Sequence, residues 1–187
     1  MKHLISIESL QKDQIQNILD RAKYYRDAMI DGKWDRKKLE GKIVLTLFFE
    51  NSTRTLTSFD IAAKRLGADV VNWNAEVSSL KKDETFSDTI DTLSAMEPDA
   101  IVIRHHEYGA PDFVSKRVNC PVINAGDSWR EHPTQALLDL YTLKNAFKES
   151  GGLENKVICL VGDLKRGRTI RSLSKIISLY KKFFLNL

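Results

Sequence analysis

Short apolar runs alternate with stretches of helical periodicity along most of this chain, and that alternation constrains the fold more than any other feature. The run Ile43-Val44-Leu45-Thr46-Leu47-Phe48-Phe49 is short and almost wholly apolar, which predicts a buried strand. Before it, Ile15, Ile18, Leu19 and Ala22 fall at helical spacing, with Gly32 as a stop signal. After it, Phe59, Ala62, Ala63 and Leu66 share one helix face, and Gly67 stands where a C-cap belongs. Further strands are predicted at Val70 and Val71, at 100–103 and at 122–124, with helices near 85–95 and 111–117 between them. Residues 74–84 are polar and read as a surface loop. A long helix striped by Leu137, Leu140 and Tyr141 ends before Gly151-Gly152. Strands separated by helices give an α/β fold with a mainly parallel sheet.

The glycine pair is the best domain boundary, dividing a first domain at 1–150 from a segment at 151–187. That segment holds one apolar run (157–161), read as a strand, and one helix striped by Leu173, Ile176, Ile177 and Tyr180. A single strand and helix cannot bury their own apolar faces. The expectation is therefore the opening of a second, incomplete α/β domain, poorly ordered by itself.

Charge decides against one class of partner. The net charge is +4, yet seven bases and no acid follow Asp163, so the preceding residues are net acidic. No aromatic set is interleaved with those bases to stack nucleotides, which argues against a nucleic-acid module. No apolar run approaches the ~18–20 residues that span a bilayer, and no secretory h-region follows Met1. Cys120 and Cys159 each lie in an apolar run without a CxxC or histidine partner. Both are expected to be buried thiols in a reducing cytosol, with neither a disulfide nor a zinc site.

The strongest chemical signal is Phe48-Phe49-Glu50-Asn51-Ser52-Thr53-Arg54-Thr55. A buried strand ends in hydroxyls and a guanidinium, and a helix starts there. Helix N-termini present N–H groups and a favourable dipole to anions. Ser52, Thr53 and Thr55 add donors, and Arg54 adds a planar fork suited to phosphate oxygens. Standing alone, the stretch would be an ordinary N-cap with a solvated arginine.

Four further stretches accompany it in order: Ser78-Ser79-Leu80-Lys81-Lys82-Asp83-Glu84-Thr85, Arg104-His105, Asn124-Ala125-Gly126-Asp127 with His132-Pro133-Thr134-Gln135, and Val161-Gly162-Asp163-Leu164-Lys165-Arg166-Gly167-Arg168-Thr169. Together the five resemble the aspartate/ornithine carbamoyltransferase family over nearly all of residues 1–175. The resemblance implies transfer of a carbamoyl group from carbamoyl phosphate to an amine, on the route to pyrimidines when the amine is L-aspartate. Ser52, Thr53, Arg54, Thr55, Arg104, His132 and Gln135 would bind carbamoyl phosphate, with Arg54, Thr55, Arg104 and His132 catalytic. Lys82 and Arg168 would bind aspartate. Ser78 and Lys82 would reach into a neighbouring subunit of a cytosolic homotrimer. Whether a regulatory chain binds is left open, and no metal or organic cofactor is required.

Arg104 is placed at the carboxyl end of a parallel strand, where ligands of open α/β sheets bind, and His132 just precedes a helix with Pro133 at N1. Thr134 favours aspartate as acceptor, since the ornithine enzymes typically carry cysteine there. The departures from the family pattern are Leu56, where arginine is frequent, and Asp83 and Ser128, where glycine is usual. The family's later arginine–glutamine loop, its His-Pro-Leu-Pro stretch and its closing helix have no counterpart in residues 1–187. The rivals are ornithine as acceptor, a non-catalytic carbamoyl-phosphate-binding protein, and a Walker A loop at Gly162 to Thr169 in which Arg168 stands at the lysine position.

Overall fold

In the computed structural model, which describes residues 1–74, 85–153 and 156–180, the run around Leu45 forms strand β1 (Ile43–Phe48). Successive side chains explain why the whole run is apolar. Leu45 and Leu47 enter one buried cluster, while Val44 and Phe48 enter another on the opposite face. Such a strand belongs inside a parallel sheet covered on both sides. The order is β2 (Asp69–Asn74), β1, β3 (Ala100–His105), β4 (Val122–Asp127), with every pair parallel. Thr46, the one polar residue of β1, is buried and donates to Asn72 Oδ1 at 2.6 Å, so its hydroxyl is satisfied.

Helix α2 (Thr53–Arg65) lays Phe59 and Ala63 on the Val44 face. Helices α3 (Phe86–Ser94) and α4 (Ala110–Ser115) bring Ile90, Leu93 and Val114 to the Leu45 face. A third cluster joins α1 (Lys12–Ile30), α5 (Pro133–Ala146) and α6 (Arg168–Ser178) through Ile15, Leu19, Leu140 and Ile176. The N-terminal segment runs along β4, where Leu4 N–H donates to Val122 O and Leu4 O accepts from Asn124 N–H. Among the described residues, no helix is long and apolar enough to cross a membrane.

Two expectations for the segment after Gly152 are corrected. Residues 157–161 form no strand: Val157 is 94% exposed, and Cys159 is exposed while Cys120 is buried. No described strand lies alongside to complete its backbone ladder, and an apolar run without a ladder has no reason to be β. That also removes the strand required before a Walker A loop. Helix α6, by contrast, does not lack partners. Its Ile176 and Ile177 are buried with Ala136, Leu137 and Leu140 of α5.

Candidate active site

The carboxyl ends of β1, β3 and β4 and the starts of α2, α5 and α6 meet at one edge of the sheet. The register pairs Phe48 with Arg104, which sets the residues just after β1 beside the end of β3. At β4 the pairing slips: Ile103 faces Asn124, but His105 faces Asp127. The extra residue is a β-bulge, a device that turns backbone and side chains at strand ends. It aims the Ala125 carbonyl at Arg104, whose Nη1 donates to it at 3.3 Å. Asn124 holds the bulge, since its Oδ1 accepts from Gly126 N–H and its Nδ2 donates to Ile5 O. Gly126 has φ +130° and leaves no room for a Cβ, which would stand 2.9 Å from Arg104 Nη1 and 3.3 Å from Arg168 Cζ.

Glu50 unites two guanidiniums. Arg104 Nη2 donates to Oε1 at 2.8 Å, and Arg168 donates from Nη2 to Oε1 at 2.8 Å and from Nη1 to Oε2 at 3.1 Å. Burial pushes the Glu50 carboxyl up, but Arg168 and Arg104 outweigh it and hold it below the usual range. Arg168 Nη1 also donates to Ser128 O at 2.7 Å. Ser128 has φ +44°, the left-handed conformation that explains why glycine suits this position. Arg104 is 8% exposed, and its Nε has no hydrogen-bond partner among the described residues. Buried N–H groups are rarely left so, and a ligand acceptor is one way of satisfying them.

His132 is 5% exposed at the N-cap of α5. Burial first, then the positive charges of Arg104 and Arg168, push its imidazole down to about 4, so it is neutral at pH 7. Its backbone N–H donates to Ser172 Oγ of α6 at 2.9 Å. Glu131, fully buried next to it, accepts from Ser6 Oγ, Ile7 N–H and Lys175 Nζ. The loop holding His132 is thus tied to both the N-terminal segment and α6.

At the start of α2 the Ser52 hydroxyl donates to Thr55 Oγ1 at 2.9 Å and makes no cap bond to the backbone. The first N–H groups of α2 therefore lack a side-chain cap, in a helix whose dipole favours an anion there.

Comparison with known proteins decides the family. The family model described as aspartate/ornithine carbamoyltransferase, carbamoyl-P binding domain, matches residues 2–145. The chain belongs to the aspartate/ornithine carbamoyltransferase family. It is 49% identical over 172 residues to the aspartate carbamoyltransferase catalytic subunit of Aliarcobacter butzleri, covering 92% of this chain and 56% of that one. The Helicobacter hepaticus catalytic subunit is 47% identical over 178 residues, covering 95% and 58%. The structure of Trypanosoma cruzi aspartate transcarbamoylase with carbamoyl phosphate and aspartate matches with TM-score 0.86 and 39% identity, over 94% of this chain and 54% of that one. The M. jannaschii catalytic subunit matches with TM-score 0.84 and 45% identity, over 96% and 57%. The chain thus spans a little over half the length of the relatives it matches.

Of the site residues this carbamoyltransferase family suggests, Arg104, Arg168 and His132 come together, and Ser52 joins Thr55. Thr53 and Arg54 are exposed at the start of α2. Gln135 turns its amide nitrogen to Asp139 Oδ1 at 2.8 Å, which leaves its carbonyl as the acceptor. Ser78, Lys82 and Asp83 lie outside the described residues. Sequence reasoning assigned no role to Glu50, Glu131 or Ser172. Glu50 had a signal, an acid set against an anion-binding turn in a chain whose partner cations were already named.

Proposed function

We propose that this chain supplies the carbamoyl-phosphate site of an aspartate carbamoyltransferase. In that reaction the amino group of L-aspartate attacks the carbonyl carbon of carbamoyl phosphate. The C–N bond forms, the C–O bond to phosphate breaks, and the phosphate takes up the proton released from the amine. The products are N-carbamoyl-L-aspartate and phosphate. The observation that carries the reading is the meeting of Arg104, Arg168 and neutral His132 around Glu50, just before the uncapped start of α2.

Each residue has a role that follows from its donors. Ser52, Thr53, Arg54 and Thr55 hold the phosphate with the N–H groups of α2. Arg104, Thr55 and His132 donate to the carbonyl oxygen and stabilise the charge that grows there. The Gln135 carbonyl accepts from the carbamoyl NH₂. Arg168, with Lys82, orients the aspartate carboxylates. Glu50 aligns both arginines and competes with the incoming anions for them. Residues 1–150 form the carbamoyl-phosphate domain, and 151–187 belong to an aspartate-binding domain. The assembly is a cytosolic homotrimer in which Ser78 and Lys82 serve a neighbour's site. The carbamoyl-transfer reading is supported by relatives named as aspartate carbamoyltransferase catalytic subunits and by T. cruzi structures in complex with carbamoyl phosphate and aspartate and with carbamoyl aspartate and phosphate.

The test is a transfer assay on the full-length gene product with aspartate and with ornithine. Carbamoyl-aspartate should form at ordinary enzyme rates, ~1 s⁻¹ or above. Carbamoylation of ornithine in its place would overturn the choice of acceptor.

A further inference from the structure

The Thr134 hydroxyl lies 3.3 Å from His132 Nδ1, and this is the only side-chain hydrogen bond of the imidazole among the described residues. Distance alone does not say which atom carries the proton. The chemistry of the site does, if His132 serves the carbamoyl carbonyl as proposed above. A carbonyl oxygen only accepts, so the ring nitrogen facing it must carry a hydrogen. A neutral imidazole carries one hydrogen, so the other nitrogen must then accept. Nδ1 is occupied by Thr134, which leaves Nε2 for the substrate. Arg104 and Arg168 do not set the tautomer, because their hydrogen bonds go to Glu50, Ala125 and Ser128. Threonine fits this geometry, since it lies two residues past the N-cap of α5 and its hydroxyl rotates to donate.

We infer that Thr134 is a positioning residue: its hydroxyl donates to His132 Nδ1 and so holds the imidazole in the Nε2–H form that the substrate carbonyl requires. The inference rests on the proposed role of His132, but its first test needs no turnover. Two-bond ¹H–¹⁵N correlations of the imidazoles in labelled protein, with His132 assigned by its absence in His132→Gln, report which nitrogen carries the hydrogen. Wild type and Thr134→Ser should show His132 with hydrogen on Nε2, and Thr134→Val a mixture of both forms. Hydrogen on Nδ1 in the wild type would overturn the inference whether or not the Thr134 variants fold, and so would an unchanged pattern in Thr134→Val.

A second readout separates positioning from general damage to the site. Phosphonoacetamide offers a carbonyl to His132, whereas inorganic phosphate offers none. Thr134→Val should weaken phosphonoacetamide about tenfold, the scale of one hydrogen bond, and leave phosphate affinity unchanged. Thr134→Ser should restore the difference. Equal weakening of both ligands contradicts a tautomer effect. Loss of all binding in the wild type would count against the carbamoyl-phosphate reading and leave the tautomer result standing.

Discussion

A carboxylate that accepts hydrogen bonds from two guanidiniums, as Glu50 does from Arg104 and Arg168, must yield some of them when a phosphate or a dicarboxylate enters the site. Arginines carry their charge at any physiological pH, so the site's pH response falls to its histidines. His132 and His105 are both pushed down to about 4, chiefly by burial. In the unfolded chain each would titrate near 6.5. Above that pH neither state binds a proton and stability is at its full value. Between roughly 6.5 and 4 the unfolded state binds protons that the folded state refuses, so stability falls with pH, by at most about 3 kcal/mol per histidine. Urea unfolding at pH 7.5 and pH 5 should show part of that loss, about 2 kcal/mol per histidine, and His105→Asn should reduce it; a flat profile would contradict neutral, buried imidazoles. Gly126 gives a second expectation. In Gly126→Ala the new Cβ meets Arg104 Nη1 at 2.9 Å in a backbone conformation that L-residues rarely adopt. Phosphonoacetate affinity should drop by about tenfold or more, since Arg104 must move. What was legible at this scale was the set of candidate donors, because a short run of donors signals an anion. Glu131 and Ser172 act across long sequence separations and nothing local marks them, whereas Glu50 stands beside the donor-rich turn even though the arginines it holds are distant in sequence.

The elements were legible wherever the chain supplies both a pattern and a partner. The four strands, and the helices between them, lie where apolar runs and helical stripes put them, with β2 and β4 longer than their apolar residues indicate because pairing continues through polar Asn72 in β2 and, past the bulge, to Asp127 in β4. The run at 157–161 has the pattern but no described ladder partner, and stays irregular. The stripe of α6 finds its partner in α5, an association that periodicity cannot reveal because it says which face is apolar and not what covers it. Ile176 is fully buried in that contact. Ile176→Ala should cost about 2–5 kcal/mol in urea unfolding and loosen Ser172 and Lys175 from the His132 loop. Because the two ties share α6, phosphonoacetate affinity should fall with it. Unchanged stability would mean that α6 is not docked as described. The bulge in β4 was invisible in the apolar pattern, although the glycine of Asn124-Ala125-Gly126-Asp127 is its sequence mark.

For the molecule as a whole, the proposed function has the anion site of residues 1–150 draw on Arg168 of the same chain and on Lys82 of a neighbouring subunit. The shared-site arrangement has a direct consequence. Full-length Arg54→Ala and Lys82→Ala chains, each nearly inactive alone, should regain activity when mixed in trimers, because some sites then receive both intact residues. No recovery in verified mixed trimers would remove Lys82 from the neighbour's site. Phosphate binding at the start of α2, as proposed, needs neither the trimer nor aspartate. Calorimetric titration of residues 1–187 with phosphonoacetate measures it, beside Arg54→Ala, in which an exposed side chain is removed and the circular dichroism spectrum should not change. A charge-assisted hydrogen bond contributes ~1.5–3 kcal/mol. Saturable one-to-one binding that weakens roughly tenfold to a hundredfold in Arg54→Ala is the expected result; no binding by the wild type, or equal affinity in the two proteins, would contradict the claim.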